Sequence, residues 1–597
     1  MTSVPSDAVP GQRPGNELWI VLGIWLAVSA ATIVIGWSNV VDRRFPDPDD
    51  AMRLLQVRDW LAGQSWFDVT QYRLNPPFGA PMHWSRLVDL PIAAVILVFR
   101  PIFGTDGGET AALIIVPLLT LGAAMLLVQR IGAALMDGPT SLLAAIATPA
   151  SLGVRQQIRL MRIDHHGWQI VLALLAALAV LDPRPRRSGL VAGAALGVWL
   201  NISIEGLPFA AVIGAWLGSR WLVDPADAER LKAYLASLAA VSVGLFSATH
   251  APGTWTSHPH DVLTTAHLAG FGAAWLCCNF AASERIADLQ VRTAILVAAG
   301  GLALLAMFAV DPHWMQPPFD SLDPVVKRLW YDGILEGQPV WHLGLDQAVT
   351  QMAQPVVGLA GALLAIRRSP ADQRRRWIAY AVLLGAGTLA SVFVVREAST
   401  TSLISLPGAA FLCELGLRRA RTLSLMPARL IAMSAAALVL VPAYALSAAS
   451  VTSHAGPAAS GSDVGPCVSR SQLQPLRSLP TGTIAAPLDI TPEILAETPH
   501  RAIGSGHHRN AAGIRDVALL FTGSPSEVRE ILLRRNADYL VFCPRSGEAE
   551  WYASHGPQGL AASLNADKVP HWLAPVQLSG LGRLHVWRVR RDLITAS

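Results

Sequence analysis

The stretch Arg159-Leu160-Met161-Arg162-Ile163-Asp164-His165-His166-Gly167 sets two arginines, an aspartate and two histidines between apolar runs at 139–154 and 167–181. Charge stranded at a membrane face is costly, so a polar run packed between apolar segments marks a functional loop of a membrane protein. Arginine forks match phosphate oxygens, carboxylate suits Mg²⁺ or Mn²⁺, and imidazole suits Mn²⁺ among other metals. These residue types point to a metal or phosphate site. A capped loop with an internal ion pair is the structural alternative.

The surroundings are apolar throughout. Of 597 residues, 52% belong to the hydrophobic set and only 15% are charged, against about 25% in an ordinary soluble protein. Mean hydropathy is +0.40. That balance excludes a soluble globular chain, a disordered chain and a small disulfide scaffold. A net charge of +4 gives no sign of a nucleic-acid partner. Residues 1–17 are rich in Pro, Ser and Gly and read as disordered. Leu18–Trp37 is long enough to span a bilayer and reads as an uncleaved first span. Further apolar stretches follow at 109–129, 139–154, 167–181, 188–200, 206–222, 231–249, 263–281, 292–310, 347–366, 377–395, 400–417 and 428–449. Leu90–Phe103 is shorter and reads as an interfacial helix. The expectation is an α-helical polytopic membrane protein with about 13 transmembrane helices over 18–450.

Basic loops orient it. Arg184, Arg186 and Arg187, then Arg367, Arg368 and Arg374 to Arg376, then Arg418, Arg419, Arg421 and Arg429 fall on one side, which should be cytoplasmic. The N-terminus is then cytoplasmic too. The opposite, periplasmic side of a bacterial inner membrane receives the first loop 38–108, the segments 155–166 and 250–262, the long loop 311–346, and everything after about residue 450. Residues 451–480 read as a linker. Beyond it, 481–597 reads as a periplasmic α/β domain with strands at Thr483–Ala486, Ala537–Cys543 and Leu584–Val589. Ser524 and Glu527 supply a capping box for the helix Val528–Arg535. Cys467 and Cys543 could pair in an oxidising compartment.

Two more acidic motifs share the face of Asp164. Asp47-Pro48-Asp49-Asp50 follows the first span, and Ile334-Leu335-Glu336-Gly337-Gln338-Pro339 lies in the long loop. Their structural alternatives are a helix start with acids at its positive end and a solvated loop glutamate. As an ordered set on one face, the three resemble the catalytic subunit of oligosaccharyltransferase and its relatives in the class C (GT-C) glycosyltransferase superfamily. In that family an acidic motif lies in the first external loop, a DxD or DxE in the second and a (T/S)xxE-type motif in the fifth. Asp49 fits the first register best, with Asp47 and Asp50 as competitors. His166 stands where the second acid of the second motif would be, and Glu336 with its nearby Gln338-Pro339 matches the fifth-loop motif.

The resemblance implies a glycosyltransferase that moves a sugar or glycan from a polyprenyl-phosphate or polyprenyl-pyrophosphate donor. Asp49, Asp164 and His166 would hold a divalent metal, Mg²⁺ or Mn²⁺. Arg159, Arg162 and Arg396 would contact donor phosphate, and Glu336 would orient or activate the acceptor. Asp50, His165, Gln338, His507, His508 and Arg509 would face the acceptor or support the site. The family's WWDYG motif departs here: Ala486-Pro487-Leu488-Asp489-Ile490 stands in its place without the tryptophans. A glycan or lipid acceptor is therefore favoured over a sequon peptide. First-loop aromatics (Trp60, Trp66, Phe67, Tyr72, His83, Trp84) suit sugar stacking or interface anchoring. The rival readings are a flippase for lipid-linked sugars, for which Glu205 is the one mid-span acid, an oligosaccharyltransferase acting on protein, and a non-catalytic scaffold.

Overall fold

The computed structural model describes residues 16–317, 319–320, 322–443 and 467–595. Most of the expected disordered N-terminus and residues 451–466 of the expected linker lie outside them. The chain from Asn16 to Ala443 is a helical bundle carrying polar loops, and the rest is a separate α/β unit seated on those loops.

Eight described helices are long and apolar enough to cross a membrane, starting with Asn16–Val41 and ending with Glu397–Arg421. The thirteen expected are not reached by this measure. His166–Val180 has 15 residues, Thr265–Ala281 has 17 and Met426–Leu438 has 13, short of the ~20 that span a bilayer. The expected span 139–154 is broken. Pro149 lies in a 3₁₀ turn, Thr148–Ala150, and Ser151 caps a new helix, Leu152–Gln157. Leu90–Phe103 is set apart from the next apolar run by Gly104, whose φ is 73° inside Arg86–Leu135. A non-glycine residue there would be strained. The chain reverses at this point, so that a Cβ on Gly108 would lie 2.9 Å from the Ile96 carbonyl.

Close helix pairs rely on small residues. Gly189, Gly193 and Gly197 fall on one face of Pro185–Ile202, and that face packs on Ala228–Thr249. A Cβ at Gly189 or Gly193 would overlap the backbone carbonyls of Arg230 or Tyr234. Such small-residue faces let helix backbones touch where lipid supplies no hydrophobic drive between helices.

The C-terminal unit holds a five-stranded sheet of β3 (Thr483–Ala485), β4 (Arg501–Ala502), β5 (Tyr539–Phe542), β6 (Leu573–Pro575) and β7 (His585–Val589) in the order β4-β3-β5-β7-β6. Strands β4, β3 and β5 are parallel, while β7 runs antiparallel to both its neighbours, β5 and β6. A smaller pair, β1 (Thr70–Gln71) and β2 (Ala80–Pro81), lies in the first loop. The edge strands β4 and β6 are too short to show an alternating pattern and were not expected. Ser524 and Glu527 form their capping box at the head of Pro525–Arg534.

Within the expected linker, residues 470–478 form a short helix and a 3₁₀ turn. Leu473 and Leu476 are buried in the domain core, so the domain begins earlier than 481. A disulfide joins Cys467 to Cys543, whose Cα atoms are 6.1 Å apart.

The domain docks on the first loop. Met52, Leu55, Leu74, Met82 and Trp84 share an apolar cluster with Leu495 and Ala502. The Arg73 guanidinium donates to the carbonyls of Leu495 (2.6 Å), Thr498 (2.7 Å) and His500 (3.2 Å). The long loop joins them: Val326 and Leu329 enter the domain core, and Trp551 Nε1 donates to the Leu329 carbonyl at 2.9 Å.

Candidate active site where three loops meet

Asp47 caps the helix Pro48–Leu61, accepting from the Asp49 N–H at 3.0 Å, and Pro48 occupies its first turn. This cap aims the following acids inward. Asp50 is fully buried and accepts from the backbone N–H groups of Ile163 (2.8 Å) and Asp164 (3.1 Å). It therefore splices the first-loop helix onto the 159–167 loop. Met161, at a φ of 66°, bends that loop back, and its N–H reaches the Leu113 carbonyl at 2.8 Å.

Arg162 is the hub. Its guanidinium lies 2.8 Å from Asp47, 3.2 Å from Asp50 and 3.2 Å from Asp164, and it donates to Gln157 Oε1 at 3.0 Å. Burial opposes charge on Asp164, but Arg162 and His166 hold its carboxyl well below the usual range. Asp47, buried beside Asp49 and opposed by Arg162, is pushed up to about 6.

Asp164 accepts from the His166 N–H at 3.1 Å and lies 2.7 Å from His166 Nδ1. His165 and His166 stack, with ring centroids 4.3 Å apart. Burial, then the charge of His166, lowers His165 to about 3. His165 Nδ1 and His166 Nε2 are buried without a hydrogen-bond partner. Asp164, His165 and His166 offer ligand atoms within 4.8 Å of one another. That donor set fits a divalent cation with mixed oxygen and imidazole ligation.

Asp49 is not one of those three. Its carboxylate is 35% exposed and faces His507 Nε2 at 3.4 Å, a residue of the C-terminal domain. Burial would raise Asp49, but the His507 imidazole beside it holds it down to about 2. Ser505 contacts the other ring nitrogen of His507 at 2.8 Å. Asp489, exposed at the surface, also faces this site, and desolvation by the surrounding groups followed by the Asp49 charge raises its carboxyl. The domain thus reaches the acids through His507 and Asp489. His508 and Arg509 turn away and pair with Asp261 instead.

Glu336 sits in the 3₁₀ turn Leu335–Gly337, half exposed, with Oε1 3.7 Å from Arg396 Nη1. Backbone bonds from Arg396 to the Glu336 carbonyl (2.9 Å) and from Val395 to the Gln338 carbonyl (3.1 Å) pin this turn to the start of Glu397–Arg421. Gln338 is buried and donates to the Tyr331 carbonyl at 3.2 Å, which braces the turn. Arg396 also pairs with Glu205 at 3.2 Å, and Gln169 donates to Glu205 at 3.0 Å. Asp47, Gln157, Arg159, Arg162, Glu336 and Arg396 line one cavity of about 200 Å³. Arg159 is held there by the Pro46 carbonyl at 3.1 Å.

Sequence reasoning gave no role to Gln169 and placed Glu205 only as the lone mid-span acid of a transporter reading, not as a partner of Arg396. The isolated acid between two short apolar runs was the only signal for Glu205. No signal linked it to a residue nearly two hundred positions away.

The helical bundle with its docked α/β domain is the fold of solved oligosaccharyltransferases. Among its solved likenesses are structures of an archaeal oligosaccharyltransferase. Archaeoglobus fulgidus AglB in complex with an inhibitory peptide and a dolichol-phosphate is 16% identical, with a TM-score of 0.63 over 93% of this chain and 72% of that one. The apo form of the A. fulgidus oligosaccharyltransferase is 17% identical, with a TM-score of 0.65 over 94% and 73%. Its complex with Zn and sulfate is 16% identical, with a TM-score of 0.58 over 94% and 71%. At these identities the likeness is one of fold. No protein-family model and no curated protein matches the sequence.

Proposed function

We propose that the protein is a metal-assisted glycosyltransferase that takes a sugar or glycan from a polyprenyl-(pyro)phosphate donor at the outer face of a bacterial inner membrane. The observation that carries this reading is the shared cavity: Arg159 and Arg162 of the second motif and Arg396 stand beside Asp47 of the first motif and Glu336 of the third. Guanidinium forks bind phosphate oxygens in pairs, so Arg159, Arg162 and Arg396 hold the donor phosphate. Asp47 and Asp50 orient Arg162, and Glu205 and Glu336 orient Arg396.

Asp164, His165 and His166 would hold a divalent ion, joined by the Asp49 carboxylate, which feels the charge of Asp164; when bound, the ion neutralises charge on the leaving phosphate. The imidazole favours Mn²⁺ or Zn²⁺ over Mg²⁺, which prefers carboxylate and water oxygens. One solved likeness is a complex with Zn and sulfate, in keeping with such a site.

In the transfer, the bond from the sugar anomeric carbon to the phosphate oxygen breaks as the bond to the acceptor oxygen or nitrogen forms. Glu336, on the cavity rim, accepts the acceptor's proton. The polyprenyl phosphate leaves with the bonding pair. Asp489 and His507 bring the C-terminal domain to the acceptor side. Without flanking tryptophans at Asp489, a glycan or lipid acceptor suits the domain better than a sequon peptide. The peptide acceptor stays as the second reading, because an inhibitory peptide accompanies one solved likeness.

The test compares lipid-linked sugars and surface glycans in wild type and a deletion strain. The expected result is accumulation of one polyprenyl-linked sugar and loss of its modification. Unchanged pools in both fractions would overturn the assignment.

A further inference from the structure

Away from the cavity, His83 of the first loop, Asp261 of the 250–262 segment and His508 of the C-terminal domain come together. Each offers a ligand atom, and these atoms lie within 4.8 Å of one another. His508 Nε2 is 2.6 Å from Asp261 Oδ2 across 247 residues of sequence. The His83 and His508 rings are 4.4 Å apart, and Phe319 of the long loop stands edge-on to His508 at 5.2 Å. His83 Nδ1 is buried with no hydrogen-bond partner. Arg509 grips both oxygens of Asp261 at 2.9 Å.

We infer that His83, Asp261 and His508 form a second metal site, of the Zn²⁺ type, that clamps the C-terminal domain onto two loops of the membrane unit. Two imidazoles and one carboxylate with a remaining open position are a common zinc donor set. An ionised carboxylate has about four lone-pair positions, so the Arg509 fork leaves Asp261 Oδ2 able to ligate. Arg509 then acts as the outer partner that fixes the carboxylate's orientation. His83 Nδ1, which protein groups leave unsatisfied, gains a partner in the ion. Buried polar atoms without partners are otherwise costly. The ligands come from three segments far apart in sequence, so the ion would close very long loops and tie domain docking to metal supply. No residue is shared with the Asp164 cluster, and the inference stands whether or not the protein transfers sugar.

The test uses the full-length protein in detergent, loaded with Zn²⁺ or Co²⁺ alone and freed of excess. Wild type should hold one metal equivalent per chain more than His83→Ala, and Asp164→Ala should not abolish that difference. His83→Cys keeps a ligand at the position, so its Co²⁺ form should gain a thiolate-to-cobalt charge-transfer band that wild type lacks. Equal metal content in wild type and His83→Ala, with no such band in His83→Cys, would overturn the inference and leave an ion-paired triad.

Discussion

Arg162 and Asp50 show how one small loop can carry both structure and chemistry. Asp50 is fully buried and commits its oxygens to two backbone N–H groups and Arg162. Asp50→Ala would leave those N–H groups buried and unpaired, at about 1–3 kcal/mol each, and thermal melts should show the loss. Arg162 instead joins three carboxylates and Gln157 while lining the cavity. A lysine is a point charge and cannot serve that planar set. Arg162→Lys should therefore fold and insert normally yet lower transfer by roughly 100-fold, read as the rate of donor consumption. At this scale the sequence was partly legible. Asp164, His166, Arg159 and Arg162 announce themselves because five polar residues crowd between apolar runs. Glu205 and Asp261 do not, because each is a single acid whose partner, Arg396 or Arg509, is brought to it only by the bundle and the docked domain.

Helices and loops differ in how much of them the sequence exposes. Long apolar runs such as Leu18–Trp37 appear as helices because their length alone fixes the outcome, while 139–154 fails because Pro149 removes an N–H from its middle. The position of Gly104 mattered similarly: it separates a short helix from a long one by a left-handed turn. The glycine face of Pro185–Ile202 could not be assigned a partner from sequence, since spacing shows a face and not what covers it. That face makes a prediction. Gly193→Leu must push Pro185–Ile202 away from the Tyr234 carbonyl of Ala228–Thr249, overpacking that costs about 1–3 kcal/mol or more. A lower melting temperature and poorer recovery in detergent should follow, whereas Gly244→Leu, with open space around its Cβ position, should be mild.

Over the whole molecule, the C-terminal domain completes the site and also burdens it with charge. Its helix Thr491–Glu497 packs on Pro48–Leu61, placing Glu493 near Asp489, Asp47 and Asp50. Burial, with the charges of those acids, pushes Glu493 up to about 8 from an ordinary 4.5. The folded protein then keeps a proton that the unfolded chain has released. Its contribution is fully present below the unfolded value and is lost as pH rises through the folded one. The melting temperature should fall as pH rises from about 4.5 to about 8, and Glu493→Gln should flatten that fall. No change in slope would remove Glu493 from the account.

The three-motif order was legible across the molecule because each motif borders an apolar run. The docking of the domain through Arg73, and the turn of His508 toward Asp261, were not, since they depend on tertiary contacts between residues with no common pattern. The central claim is that Asp164 belongs to a site that consumes a lipid-linked sugar. Its most direct test adds purified protein back to membranes of a deletion strain and follows the polyprenyl-linked pool. Wild type should deplete one lipid-linked sugar and release polyprenyl phosphate or pyrophosphate, while Asp164→Ala, shown to be folded by its melting curve, should leave the pool intact. Equal depletion by both proteins would contradict the account.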